Sequence, residues 1–165
     1  MTTKGDLTKE QVFSELQQTR NAVLEATQAL SPEDREKVFL GIWSVLDLLA
    51  HLTGWDYANL AAVQEVLSGQ LPSFYAYHDR NWVTYNAMLV AKYKCDTFDE
   101  MLDRVRASYA QLMTALQSVA PADFGKDFGV RFRGYRVTIR RLMEAEMKDE
   151  QVHCSQILDF FGLPG

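Results

Sequence analysis

The sequence predicts an all-α protein, a four-helix bundle with a short extra helix ahead of the third long one. Three observations carry that prediction. Only four Pro and nine Gly occur in 165 residues, so few positions interrupt a helix. Long stretches repeat apolar residues at helical spacing. Residues with the chemistry of helix caps stand where those stretches begin.

Thr8 and Gln11 read as a capping box, in which each side chain satisfies an orphan amide of the other's turn. Behind them Val12, Phe13, Leu16, Val23, Leu24 and Leu30 recur at helical spacing. Ser31-Pro32-Glu33-Asp34 places Pro at a first helical position and predicts a short helical turn or a structured loop. The second long helix is expected from Ser44, with Asp47 three residues on, to about Gly69, before the break at Leu71-Pro72-Ser73. Asp79 to Tyr93 is expected to supply the short extra helix. Thr97 with Glu100 opens the third long helix, whose apolar stripe runs from Phe98 to Val119 and stops before Pro121. Residues 122–136 hold Gly125, Gly129 and Gly134 among aromatic and basic residues, the composition of an irregular loop or short hairpin. The last helix is expected over about Val137 to Phe161, ended by Gly162.

Hydrophobic residues make up 47% of the chain and charged residues 24%. That is enough for one sizeable core, so residues 1–165 are expected to form a single domain. No run of roughly eighteen uncharged apolar residues occurs, and no membrane partner is expected. The N-terminus, MTTKGDLTKEQ, lacks the apolar stretch of a secretory signal. Cys95 and Cys154 make no disulfide framework, and a cytoplasmic location is expected. The net charge is -5, from 22 acids and 17 bases. With no Lys/Arg cluster expected to offset it, a nucleic-acid partner is not expected either.

The last helix breaks its own pattern. Arg140, Glu144 and Lys148 follow one another at four-residue spacing, as on a solvated face. At about 100° per residue, Glu146 falls on the opposite side, with Ile139, Leu142, Met143, Ile157 and Phe160. Asp149, Glu150 and His153 lie within about 60° of Glu146 on that apolar stripe. Burying an unpaired carboxylate costs several kcal/mol, so these acids require an Arg, a wet cleft, an intrahelical His or a metal as partner. His51 stands at the edge of the apolar stripe of the second long helix. Asp47, one turn earlier, could hold its other ring nitrogen. His78 falls on a connection, where it either lines the bundle mouth or faces solvent. No phosphate-binding glycine loop is present, and His153 and Cys154 point about 100° apart, too far for a dyad.

The stretch Trp43-Ser-Val-Leu-Asp-Leu-Leu-Ala-His51-Leu-Thr-Gly-Trp55 resembles the second helix of the DinB-like superfamily, and His153-Cys-Ser-Gln156-Ile157 resembles its last. The resemblance implies a divalent ion, zinc, nickel or iron, at the open end of the bundle. His51 and His153 match two ligand positions. The third, usually His, is Asp149 here, an oxygen donor competent for such ions. The resemblance also implies thiol transfer, isomerisation or hydrolysis of a small molecule, with Glu146 or Glu150 shuttling protons, and a bundle able to pair as a homodimer. A related colibactin self-protection type is similar in length and helix order and does without the histidine triad. It implies the alternative, a metal-free binding bundle with an aromatic, acidic cleft.

Overall fold

The computed structural model describes residues 5–165; the polar N-terminal stretch begins in residues 1–4, outside them. Four long helices form the bundle: α1 (Lys9–Gln28), α3 (Val45–Leu67), α5 (Phe98–Ser118) and α7 (Ile139–Phe161). Between α1 and α3 lies α2 (Pro32–Glu36), a single helical turn capped by Ser31, whose Oγ accepts from Asp34 N at 3.1 Å. α4 (Val83–Tyr93) precedes the third long helix and packs on α3. α6 (Pro121–Phe124) and a two-stranded antiparallel hairpin, β1 (Arg131–Phe132) with β2 (Tyr135–Arg136), connect α5 to α7. α1 packs on α7, and α3 touches both α5 and α7. No described helix is long and apolar enough to cross a membrane.

The caps form as expected. Thr8 N donates to Gln11 Oε1 at 2.8 Å and Gln11 N to Thr8 Oγ1 at 3.1 Å. Two starts differ from expectation. α4 begins at Val83 rather than Asp79, because Asp79 Oδ2 accepts from Thr84 N and Oγ1 at 3.2 and 2.6 Å. That leaves 80–82 as a 3-10 turn. α7 begins after Thr138, whose Oγ1 caps Arg141 N at 3.2 Å. Gly54 is set by packing: a Cβ there would lie 2.6 Å from Leu89 Cβ, so α3 and α4 close only over glycine.

The core is divided. One apolar cluster gathers Val12, Leu16, Trp55, Leu112 and Met143; the other gathers Val23, Leu49, Leu52, Val105 and Ile157. Where the two meet, each long helix gives one member of a linked polar layer: Arg20 on α1, Asp56 on α3, Ser108 on α5 and Glu150 on α7, all buried. Arg20 donates from Nη1 and Nη2 to Asp56 at 2.9 and 2.8 Å, and from Nε and Nη2 to Glu150 at 3.0 and 2.5 Å. Ser108 Oγ donates to Asp56 Oδ2 at 2.6 Å. The Arg20 guanidinium also lies over the Tyr109 ring, 4.5 Å from its centroid. Phe160, expected inside, is 52% exposed. It sits in the last turn of α7, where its ring meets those of Phe39 and Phe161 edge to face at 6.1 and 4.9 Å.

Candidate metal centre and its cavity

The apolar stripe of α3 buries His51, and α7 carries Asp149 and His153 one helical turn apart on the facing side. The three meet. His51 Nε2 and His153 Nε2 lie 3.3 and 3.2 Å from the same oxygen, Asp149 Oδ2. The two imidazoles meet edge to face with centroids 5.1 Å apart, and Trp43 backs His51 at 4.9 Å. One donor atom from each residue lies within 4.8 Å of the others.

The donors suit a cation. His153 Nδ1 is 2.8 Å from Gln156 Oε1; an amide oxygen only accepts, so Nδ1 carries the hydrogen and Nε2 is left to face Asp149. Burial pushes the His51 pKa down, with Asp149 pulling against it, so its imidazole is neutral with a lone pair to offer. Partial desolvation opposes charge on Asp149, whose side chain stays 48% exposed, but hydrogen bonding to His153 and His51 overrides it and holds the carboxyl well below the usual carboxylate range. For His153 burial is likewise the largest influence, and contact with Asp149 outweighs it to raise the pKa. A point ringed by two imidazole nitrogens and a carboxylate calls for a proton or a metal ion. Asp47 does not serve His51. It bonds Ser44 N at 2.9 Å and Lys94 Nζ at 2.8 Å, because the helix start and α4 claim both its oxygens. His51 Nδ1 is buried with no protein partner.

The three residues edge a cavity of about 700 Å³ between α3, α4 and α7. Trp55, Phe74, Tyr75 and Trp82 wall it, with neighbouring ring centroids 4.7 to 5.7 Å apart. Trp55 Nε1 is held by Asn86 Oδ1 at 2.8 Å. Asn81 and Trp82 both carry left-handed backbone, with φ of 60° and 56°. His78 stands behind this wall, against Trp82 and Phe132 at 4.7 and 5.0 Å.

The two remaining acids of the stripe part company. Glu146 lines the cavity; its Oε2 accepts from Asn59 Nδ2 at 3.1 Å, and its Oε1 is buried without a partner. Burial, reinforced by Glu150 and Asp56 nearby, raises its pKa well above the usual carboxylate range, which favours the neutral acid. Glu150 instead has both oxygens occupied by Arg20. Arg20, Asp56, Asn59 and Ser108 were not expected as partners. Arg20 had a signal, since it falls on the α1 stripe between Leu16 and Val23.

A model of the DinB superfamily matches residues 6–157. No curated protein matches the sequence. Three solved structures share the fold. The colibactin self-resistance protein ClbS, solved in complex with a dsDNA, has TM-score 0.79 at 13% identity over 99% of this chain and 100% of its own. An uncharacterised protein from Escherichia coli UTI89 has TM-score 0.75 at 12% identity over 93% and 92%. A Streptococcus pneumoniae protein has TM-score 0.75 at 10% identity over 98% and 94%.

The ClbS complex overturns the expectation of no nucleic-acid partner, since a protein of this fold has been solved with a duplex. The physical reason is that net charge averages over the surface. Lys126, Arg131, Arg133, Arg136, Arg140 and Arg141 place six of the 17 cations in residues 126–141, against the single acid Asp127. On its fold and on the span of that match, the chain belongs to the DinB superfamily.

Proposed function

We propose that this chain is a divalent-metal-dependent enzyme acting on a small molecule, by thiol transfer, isomerisation or hydrolysis. One observation carries the reading: two imidazole Nε2 atoms and a carboxylate converge at the edge of an aromatic cavity of about 700 Å³. His51, Asp149 and His153 would hold zinc, nickel or iron. Bound there, the ion supplies Lewis acidity, lowering the pKa of water or of a thiol. The rest falls to the chain. Gln156 fixes the tautomer of His153, and Trp43 backs the ring of His51. Trp55, Phe74 and Trp82 exclude water and present flat apolar walls to the substrate. Glu146, its pKa raised by burial, is the group placed to hold and move a proton at the cavity side. Glu150 positions α7 through Arg20.

Elemental analysis of tag-free protein tests the reading, alongside His51→Ala and His153→Ala at matched folding. Stoichiometric metal lost in both variants is expected. No uptake after incubation with Zn²⁺, Ni²⁺, Mn²⁺ or anaerobic Fe²⁺ would sink it and favour a metal-free binding bundle. A second reading, association with duplex DNA, is favoured by the ClbS complex together with the cation cluster of residues 126–141.

A further inference from the structure

We propose that the β1–β2 hairpin docks duplex DNA through Arg133, Arg136 and Arg141, beside the cavity wall; this rests on the second reading above. Six cations crowd residues 126–141, and three are already answered. Arg131 pairs with Asp127 at 2.7 Å, Arg140 with Asp6 at 2.5 Å, and Lys126 lies 3.7 Å from Asp123. Among the described residues no carboxylate pairs with Arg133, Arg136 or Arg141, and all three are exposed.

Their arrangement is costly for the isolated protein. Arg131 and Arg136 are cross-strand partners, and like charges directly opposite destabilise a strand pair. Asp127 pairs directly with Arg131 and also feels Arg136, so one carboxylate answers two guanidiniums and an external anion would supply the missing charge. Side chains alternate along a strand, so Arg131 and Arg136 lie on the face opposite Phe132. Phe132 is turned to the bundle, 4.4 Å from Tyr75 and 5.0 Å from His78. The guanidiniums of Arg131 and Arg136 therefore project outward and that of Arg133 lies over the Phe132 ring, 5.1 Å from its centroid, while the hairpin's other face leans on a residue of the cavity wall. Arg141, in the first turn of α7, donates from Nη1 to Arg136 O at 3.1 Å, which holds it beside the hairpin.

The chemistry favours phosphate on a B-form duplex. The unanswered cations are all Arg, whose planar fork matches phosphate oxygens. A two-stranded ribbon fits the major groove of B-form DNA, whereas the A-form groove of duplex RNA is too deep and narrow. A membrane surface would ask for apolar side chains to insert, and at the hairpin only Tyr135 is both large and exposed.

The test is fluorescence anisotropy with a labelled mixed-sequence DNA duplex over a range of salt. The protein is compared with Arg133→Gln/Arg136→Gln/Arg141→Gln, and with Lys37→Gln/Lys92→Gln/Arg106→Gln as a control of equal net charge. The hairpin variant is expected to flatten the dependence of log K on log salt by about 2.7, about 0.9 for each phosphate no longer neutralised. The control should bind like the parent. Single changes at Arg133 or Arg136 should each flatten it by about 0.9, which secures the result should the triple variant fold poorly. A parent that binds no duplex at low salt overturns both this proposal and the second reading. A parent that binds, with a hairpin variant equal in affinity and slope, overturns the hairpin alone. Tighter binding to phosphatidylserine vesicles than to the duplex overturns it as well.

Discussion

Replacing Arg20 with Met removes the cation of the buried layer and leaves Asp56 and Glu150 facing each other inside the bundle. Each carboxylate then loses two guanidinium hydrogen bonds, and only Asp56 keeps another side-chain donor, the Ser108 hydroxyl. Removing one partner of a buried ion pair costs about 3–5 kcal/mol. Here two carboxylates lose the same partner, so the upper end, about 5 kcal/mol, is expected. For a chain of this length that lowers Tm by roughly 10–20 °C. The loss should depend on pH. Burial already raises the Glu150 carboxyl with Arg20 pulling against it, and without Arg20 its folded-state pKa climbs further above the unfolded value of about 4.3. A carboxyl with a raised folded pKa supports folding below its unfolded pKa and loses that support as pH rises through the folded one. The variant's deficit should therefore be smallest near pH 4 and grow towards neutrality. Urea denaturation of both proteins at several pH values measures it. A neutral-pH loss below about 1 kcal/mol with no pH dependence would refute the closed layer, because a buried charge without its partner cannot be that cheap. Changing all three residues to apolar ones of similar size should recover much of the loss.

Three further outcomes follow from the same geometry. Gly54→Ala drives a methyl into Leu89 and should destabilise the protein by about 1–3 kcal/mol, with altered Trp55 fluorescence as α4 shifts; an unchanged Tm would mean that α3 and α4 leave room for the methyl. Glu146→Gln should raise Tm at neutral pH by a few degrees and leave it unchanged near pH 4. A buried acid with raised pKa supports folding below its unfolded pKa of about 4.3 and loses that support as pH rises, and the amide does not titrate. A gap between the two proteins that shrinks with rising pH would show Glu146 ionised. Gln156→Ala frees His153 Nδ1 and should weaken metal affinity by about 10- to 100-fold at unchanged stability, read by competition with a chelator.

The helices were legible because their starts are local. Thr8 with Gln11 and Thr97 with Glu100 specify boundaries within one turn of chain, and both boxes form. The pairing of Asp149 with His153 was legible, since a helical wheel places both on one apolar stripe, whereas His51 joined them only through the resemblance to the DinB-like superfamily. What the wheel could not assign was each acid's partner, because partners come from other helices. Glu150 found Arg20, 130 positions away, and Glu146 found Asn59, 87 away. Asp47 went astray on both counts: Ser44 in its own turn and Lys94 from the end of α4 outcompeted a histidine one turn along. The basic hairpin was hidden by whole-chain arithmetic, in which 22 acids swamp a local excess. Phe160 misled because a stripe has an end, and the last turn of α7 has little beside it.

Trp82 occupies a balance that bears on how the cavity moves. Two successive left-handed residues, Asn81 and Trp82, hold its ring in the wall, and each such conformation costs about 1–3 kcal/mol. Against this stand aromatic contacts with Trp55, Phe74, Tyr75, Tyr85 and His78, each worth about 0.5–1.5 kcal/mol beyond burial. The two sums are of one size, so the wall at 80–83 opens at less cost than α3 across the cavity. In amide hydrogen exchange, Trp82 and Val83 should lose protection well before Leu52 or Trp55. A molecule that fills the cavity adds contacts only to the closed form, so slowed exchange at these two amides would report occupancy before the chemistry of the occupant is known.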